Sequence, residues 1–190
     1  MKKTLILFII SLIICLPSYA DKVDITEQIV AFYNDNNIQE AMRLLQLIPE
    51  SDRTAQDWLL LGNILQDNSK DSEAVFMYKR AILTDSNFYK PYYNLANIQF
   101  NEGKYSLALE NYKKAVKINS EFSYGYYNMG CTYLKLKEFK KAKSCFQKAI
   151  NIKNTVPEFH YNLAYCYKIL QNNKQAQNSL NIYNKLQSNF

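Results

Sequence analysis

Glycine and proline are scarce, four of each in 190 residues. That is too few for a turn-rich β sandwich or a disordered linker, so helix is favoured before any periodicity is read. Histidine occurs once, at His160, and neither a glycine-rich phosphate loop nor a Ser/His/Asp set is present. No apolar run reaches the roughly 18 residues that a spanning helix needs. What is abundant is ordinary for a globular chain of about one domain: 48% hydrophobic and 21% charged residues, with 16 tyrosines.

The first 20 residues stand apart. Met1-Lys2-Lys3 is a short basic start, Leu5 to Leu16 is an uncharged apolar run, and Pro17-Ser18-Tyr19-Ala20 places small residues at Ser18 and Ala20. This is the layout of a secretory signal cleaved after Ala20, with an uncleaved anchor as the alternative. Cys15 follows Ile14, where a lipoprotein signal would carry Gly, Ala or Ser, which argues against lipidation. The expected location is therefore outside the cytoplasm, periplasmic or secreted, with no membrane insertion of the mature chain.

The leader carries Lys2 and Lys3 and no acid, so its removal leaves 21 cations of 23 against 17 anions, a net charge of +4. The lysines of 113–117 and 135–143 alternate with apolar residues at helical spacing. They read as solvated helix faces, and a nucleic-acid partner is not expected. Three cysteines remain, Cys131, Cys145 and Cys166, an odd number that permits at most one internal disulfide. Cys145 with Cys166 is the pairing considered, and no disulfide at all is the other outcome.

The chain repeats itself every 34 residues. Gly62, Ala96, Gly130 and Ala164 form one column; Ala74, Ala108, Ala142 and Ala176 form another. Tyr78, Tyr112, Phe146 and Leu180 keep the same spacing, as do Trp58, Tyr92, Tyr126 and His160. Ala81, Ala115 and Ala149 make a fifth column that fails at Tyr183. Self-similarity at a period of this size signals a solenoid of stacked units. Within each copy the apolar spacing is three and four, hence helix. Breakers at Asp67-Asn68-Ser69, Asn101-Glu102-Gly103, Lys137-Glu138 and Asn172-Asn173 split each copy into two helices. The small residues of the first helix are expected to press against the alanines of the second.

The pattern resembles the tetratricopeptide repeat, through Trp58-Leu59-Leu60-Leu61-Gly62 with Ala74, Tyr78 and Ala81, and again through Tyr126-Tyr127-Asn128-Met129-Gly130 with Tyr133, Ala142, Phe146 and Ala149. The resemblance implies an all-α, right-handed superhelix, an α-solenoid. Its copies would run over residues 55–88, 89–122, 123–156 and 157–190. Residues 21–54 form a degenerate first copy, with Ile25, Ile29, Phe32, Ala41, Leu45 and Ile48 in the matching places. Five copies fill the mature chain and leave no stretch for a separate catalytic domain.

The same resemblance implies a groove lined by the first helix of each copy, holding a protein or peptide partner. By position its lining includes Leu59 and Asn63, then Lys90, Tyr93, Asn94 and Asn97. Tyr124, Tyr127, Asn128 and Cys131 follow, then Tyr161, Asn162 and Tyr165. Gln66, Phe100 and Lys135 share this frame. Asn94, Asn128 and Asn162 resemble the asparagine ladder of the repeat domain of O-linked N-acetylglucosamine transferase, where carboxamides clamp a peptide backbone. Bridging between helices of the stack is the competing role for them. A carboxylate clamp is not expected, because Leu59, Tyr124 and Asn128 stand in its basic places. No catalytic residue, metal or cofactor is expected: His160 lies in a core column, and Cys166 is six residues away from it, off its helix face. A second functional expectation is structural, self-association or an envelope complex formed through the C-terminal hairpin and the convex face. Leu180, Tyr183 and Leu186 would then be partly uncovered.

Overall fold

A computed structural model describes residues 19–188. Most of the leader expected over residues 1–20 lies outside them. Ten α-helices and one 3-10 turn make up the described chain, which contains no strand. The chain divides between Leu47 and Ile48 into two compact units. The first holds one hairpin, α1 (Tyr19–Asn34) and α2 (Ile38–Leu47), with Ile29, Ala41 and Leu45 buried and Ile25 and Phe32 half-buried.

The second unit holds four hairpins: α3 (Ala55–Asp67) with α4 (Asp71–Thr84), α5 (Tyr89–Asn101) with α6 (Tyr105–Ile118), α7 (Ser123–Lys135) with α8 (Phe139–Ile152), and α9 (Pro157–Ile169) with α10 (Asn173–Gln187). Each second helix packs on the first helix of the next hairpin, α4 on α5, α6 on α7 and α8 on α9. A hairpin buries one face internally and one against its neighbour, which is how a solenoid builds a continuous core.

A Cβ added to Gly62 would lie 2.5 Å from Tyr78 Cε1, and one added to Gly130 would lie 2.6 Å from Phe146 Cε1. The glycines therefore admit the aromatic ring of the partner helix. Ala74 and Ala142 are themselves fully buried. Tyr78, Tyr112, Phe146 and Phe159 are the largest rings sealed into the core, at 0–1% exposure.

Every hairpin turn has the same geometry. Ser69, Gly103, Lys137 and Gln171, spaced 34 apart, all have φ between 59° and 75°, as does Asn36 in the first unit. The amide of the following residue reaches back five positions, Lys70 N to Leu65 O at 2.9 Å and Glu138 N to Tyr133 O at 2.8 Å. The left-handed residue itself bonds at the shorter loop, Ser69 N to Gln66 O and Lys137 N to Leu134 O. This is the Schellman end of a helix, which satisfies otherwise orphaned carbonyls. Only Gly103 fits the left-handed region without cost. Lys137→Gly and Gln171→Gly should therefore each raise stability by about 0.5–1 kcal/mol, read as a higher denaturation midpoint at unchanged slope.

The hairpin starts divide into two kinds. Thr54 and Asp57 form a capping box, Asp57 N to Thr54 Oγ1 at 3.2 Å and Thr54 N to Asp57 Oδ2 at 2.8 Å, which explains an acid buried to 1% exposure. The equivalent positions in the next three hairpins are Phe88, Phe122 and Val156, which make no side-chain cap. Phe122 instead packs its ring 4.9 Å from Tyr89 and 4.8 Å from Tyr93 on the preceding hairpin. A cap bond has been exchanged for inter-repeat packing.

The last helix presents a mostly amide and lysine surface. Leu180, Tyr183 and Leu186 are half-buried, and the Tyr183 ring packs 5.3 Å from Tyr161. Ile182 is 44% exposed.

Candidate functional site

The first helices of the second unit share a wall with one cavity of about 780 Å³. Gln66 comes from α3; Asn97, Phe100 and Asn101 from α5; Asn128, Cys131, Leu134 and Lys135 from α7; Tyr165 from α9. Tyr112 is the single contribution from a second helix. Every lining position lies on an inward face because the hairpins repeat their geometry. The wall is apolar where Phe100 and Leu134 lie, and amide-bearing elsewhere. Lys135 is its one charged group and no acid lines it.

Hydrogen bonds run from hairpin to hairpin through this wall, and Gln66, Asn97, Tyr112 and Asn128 take part in them while lining the cavity. Asn94 Nδ2 donates to Asn63 Oδ1 at 2.8 Å, and Tyr78 donates its hydroxyl proton toward Asn63 Oδ1 at 3.0 Å and Gln66 Oε1 at 2.7 Å. Asn128 Nδ2 donates to Tyr93 Oη and to Asn97 Oδ1, both at 2.9 Å, and Asn97 Oδ1 also accepts from the Tyr112 hydroxyl at 2.6 Å. Asn162 Nδ2 donates to Tyr127 Oη at 2.9 Å. Each asparagine of the column therefore spends donors on the preceding hairpin, the bridging role. Half-buried carboxamides need such partners, and for these three the first helix of the preceding hairpin supplies them.

Burial governs the protonation of these groups. It pushes the Tyr93, Tyr112 and Tyr127 hydroxyls above their ordinary range, Tyr112 and Tyr127 most strongly. It likewise raises the Cys131 and Cys145 thiols to about 11 and Cys166 to about 12. At neutral pH all of them are protonated, so the wall offers hydrogen bonds rather than nucleophiles. Among the described residues Cys131, Cys145 and Cys166 are free, and Cys145 and Cys166 are not joined. Since the folded thiols hold their protons above the ordinary pKa near 8.5, their contribution to stability is complete below about pH 8.5 and falls as pH rises toward 11. A melting temperature flat from pH 6 to 8 and declining through about pH 9–11 is the expected profile. Cys131 alkylation should be slow at pH 7.5 and speed up over the same interval.

Family models agree with this geometry. The tetratricopeptide repeat model matches residues 89–122 and 123–155, and a second model of the same repeat matches 157–188. Together they cover just over half of the chain. The chain belongs to the tetratricopeptide repeat family. A crystal structure of MamA superposes with a TM-score of 0.73 at 18% identity, covering 92% of this chain and 97% of that one. The MamA RS-1 ArsTM double mutant gives 0.75 at 18% identity, over 89% and 96%. The structure titled "Functional Characterization of Pseudomonas Aeruginosa pilF" gives 0.77 at 18% identity, over 86% and 75%. At such identities these likenesses establish the all-α solenoid fold alone. No curated protein matches the sequence.

Within this tetratricopeptide array, the residues named from the sequence divide into three groups. Asn97, Asn128, Cys131 and Tyr165 line the cavity. Asn63, Tyr93, Asn94, Tyr127 and Asn162 take part in the hydrogen bonds between hairpins and are not among its lining residues. Lys90, Tyr124 and Tyr161 are exposed and lie outside the cavity lining. Leu59 is a correction: it is 3% exposed and packs with Ala74, Tyr78, Leu95 and Ile98. Three lining residues escaped the sequence reading as groove residues. Asn101 looked like a helix breaker, Leu134 had no column, and Tyr112 was assigned to the core. The usable signal was Tyr in place of Phe146 in that column, since a buried phenol needs a partner. His160 is 5% exposed with its Nε2 2.8 Å from Asn154 O. Among the described residues no group of three or more His, Cys, Asp or Glu side chains is placed to hold a metal, and no helix is long and apolar enough to cross a membrane.

Proposed function

We propose that the protein is a non-catalytic scaffold that holds an extended segment of a partner protein in the cavity lined by α3, α5, α7 and α9. The observation that carries this is the lining itself: one concave wall, assembled from four hairpins, that combines an apolar strip with amides. Phe100 and Leu134 can bury an apolar side chain of the guest, while Asn97, Asn101 and Gln66 can meet its backbone, which always offers one donor and one acceptor per residue. A preformed wall also spares the ordering cost on the scaffold side. We further propose that the chain works after export, its leader removed after Ala20, so that the partner is an extracytoplasmic protein.

Random-peptide display on the purified protein tests the groove. Tyr165→Ala and Phe100→Ser alter its wall, whereas Lys79→Ala lies on exposed α4 surface away from it. Selected peptides should lose at least about tenfold in affinity, roughly 1.4 kcal/mol, with either wall variant and none with Lys79→Ala. Equal binding by all three would remove the groove from the account. The mass of the mature protein isolated from its own cells tests export: a chain beginning at Met1 would refute cleavage.

A further inference from the structure

The second helices of the last three hairpins carry a charge that the stack itself does not answer. Together α6, α8 and α10 hold nine lysines and one acid, Glu110. The rest of the chain holds 14 of the 23 cations and 16 of the 17 acids, so it is slightly acidic. The turns that connect α5 through α10 are balanced, with Glu102, Glu121 and Glu138 against Lys104, Lys137 and Lys153. The first helices α5, α7 and α9 are sparsely charged, with Lys90, Lys135, Glu158 and Lys168. Among the described residues, Lys141 with Glu138 is the one ion pair that any of the nine lysines makes.

Each of these second helices packs on its own first helix, and α6 and α8 pack also on the next, which leaves an outward face. Lys113, Lys114 and Lys117 on α6, Lys140, Lys141 and Lys148 on α8, and Lys174 and Lys185 on α10 are all exposed there. The repeat keeps them in register: Lys140 and Lys174 stand 34 residues apart, as do Lys114 and Lys148. Lys114 lies 5.6 Å from the Tyr92 ring and Lys148 5.3 Å from the equivalent Tyr126 ring. A ring face attracts an ammonium without neutralising it.

Apolar side chains stand among these cations. Leu107 lies two turns before Lys114, and Ile182 takes the place of Lys148 one repeat on. With Phe76 and Leu83 on α4 they are exposed by 44–81%. Lys114 and Lys117 also open onto a hollow of about 670 Å³, shared with Ser86, Asn87, Tyr92 and Ile118, which no acid lines.

Folding does not call for this arrangement. Lys140 and Lys174 sit in the first turns of α8 and α10, which hold no acid, although the helix dipole favours acids at that end. The like charges of neighbouring helices also repel one another.

We propose that this outward face adsorbs to an anionic lipid bilayer. A membrane interface matches both of its features. Phosphate headgroups meet the ammonium groups, while Leu107, Ile182, Phe76 and Leu83 enter the boundary of the acyl layer beneath. Nucleic acid or an acidic polypeptide would answer the lysines and leave those apolar groups in water. The contact stays at headgroup level, since no described helix is long and apolar enough to cross. The cavity is lined almost wholly by first helices, so both surfaces can be occupied at once and a groove guest held at the membrane.

Co-sedimentation of the purified full chain tests this with vesicles of phosphatidylcholine, alone or with about one-third phosphatidylglycerol, at about 50 mM and about 500 mM salt. Adsorption should be at least about tenfold stronger on the anionic vesicles at low salt, and the difference should close at high salt. Lys140→Glu/Lys174→Glu and Lys113→Glu/Lys117→Glu should each weaken binding to anionic vesicles at least about tenfold. The first pair should melt no lower than the unaltered chain, because each change places an acid in a helix's first turn. That separates loss of adsorption from loss of folding. Leu107→Ser/Ile182→Ser should weaken adsorption at least about threefold, as burial in the acyl boundary requires. Tyr165→Ala, on the groove wall, should leave adsorption unchanged, so the groove reading and this one fail separately. Equal binding to both vesicles at low salt, as the apolar run Leu5–Leu16 would give, overturns the proposal. So does adsorption indifferent to the charge reversals or to the Leu107 and Ile182 changes, or retention on DNA or polyglutamate with no vesicle binding.

Discussion

Phe146→Ala should lower stability by about 3–5 kcal/mol, as large-to-small changes at sealed aromatic positions do. The ring is at 0% exposure, fills the space left by Gly130, and lies 5.7 Å from the Tyr127 ring on the facing helix. Collapse cannot refill the cavity, because α7 is already held at contact distance by the missing Cβ of Gly130. The damage should also be local. In an array, each hairpin is supported by its own folding and by its two interfaces. Hydrogen exchange should therefore quicken most in α7 and α8, next in α6 and α9, and least in α3. Chemical denaturation measures the total. A loss under about 1 kcal/mol would mean that the ring is not a keystone of the third hairpin of this unit.

The second large effect concerns the hydrogen bonds of the cavity wall. Asn128→Ala removes two hydrogen bonds at once, to Tyr93 Oη and Asn97 Oδ1. It should cost about 1–3 kcal/mol, more than Asn94→Ala or Asn162→Ala, each of which removes one of the recorded bonds. The asymmetry distinguishes a bridging role from a purely ligand-facing one, in which all three changes would leave stability alone. Tyr112→Phe makes the companion test. Its hydroxyl shares the Asn97 oxygen with Asn128, so the double variant should lose less than the sum of the singles. Guest binding should weaken with Asn128→Ala as well, because Asn97 and Asn128 both line the cavity. Additive losses across the Asn128 and Tyr112 changes would show that the two bonds are independent and that no shared network exists.

Much of this molecule is legible in one dimension. The columns at 34-residue spacing fix the number of hairpins, their helices and most of the core, because a repeated unit must repeat its burial. Tyr78, Tyr112 and Phe146 could be assigned to the interior on that ground alone. Glycine is absent from three of the four equivalent left-handed turn positions, at Ser69, Lys137 and Gln171, yet the turns form identically. Their hydrogen bonds outweigh the local cost, so a search for glycines would have found one turn.

Asparagine marks the point where the sequence stops deciding. Tyr-Tyr-Asn at two copies and His-Tyr-Asn at a third announce a polar column on an inner face, but a carboxamide can serve a guest or a neighbour equally well. Whether its donors point outward or across depends on where the tyrosines of the preceding hairpin end, at Tyr93 and Tyr127. That is a distance between hairpins and is written in no single repeat. The same holds for Leu59, whose position in the frame suggested the groove and whose contacts placed it in the core. The sequence alone determined which residues form helices and that the helices stack, since both follow from local spacing and apolar periodicity. Only the tertiary structure decided which polar atoms are spent inside the stack and which face the cavity, because that division is set by the gap between packed helices.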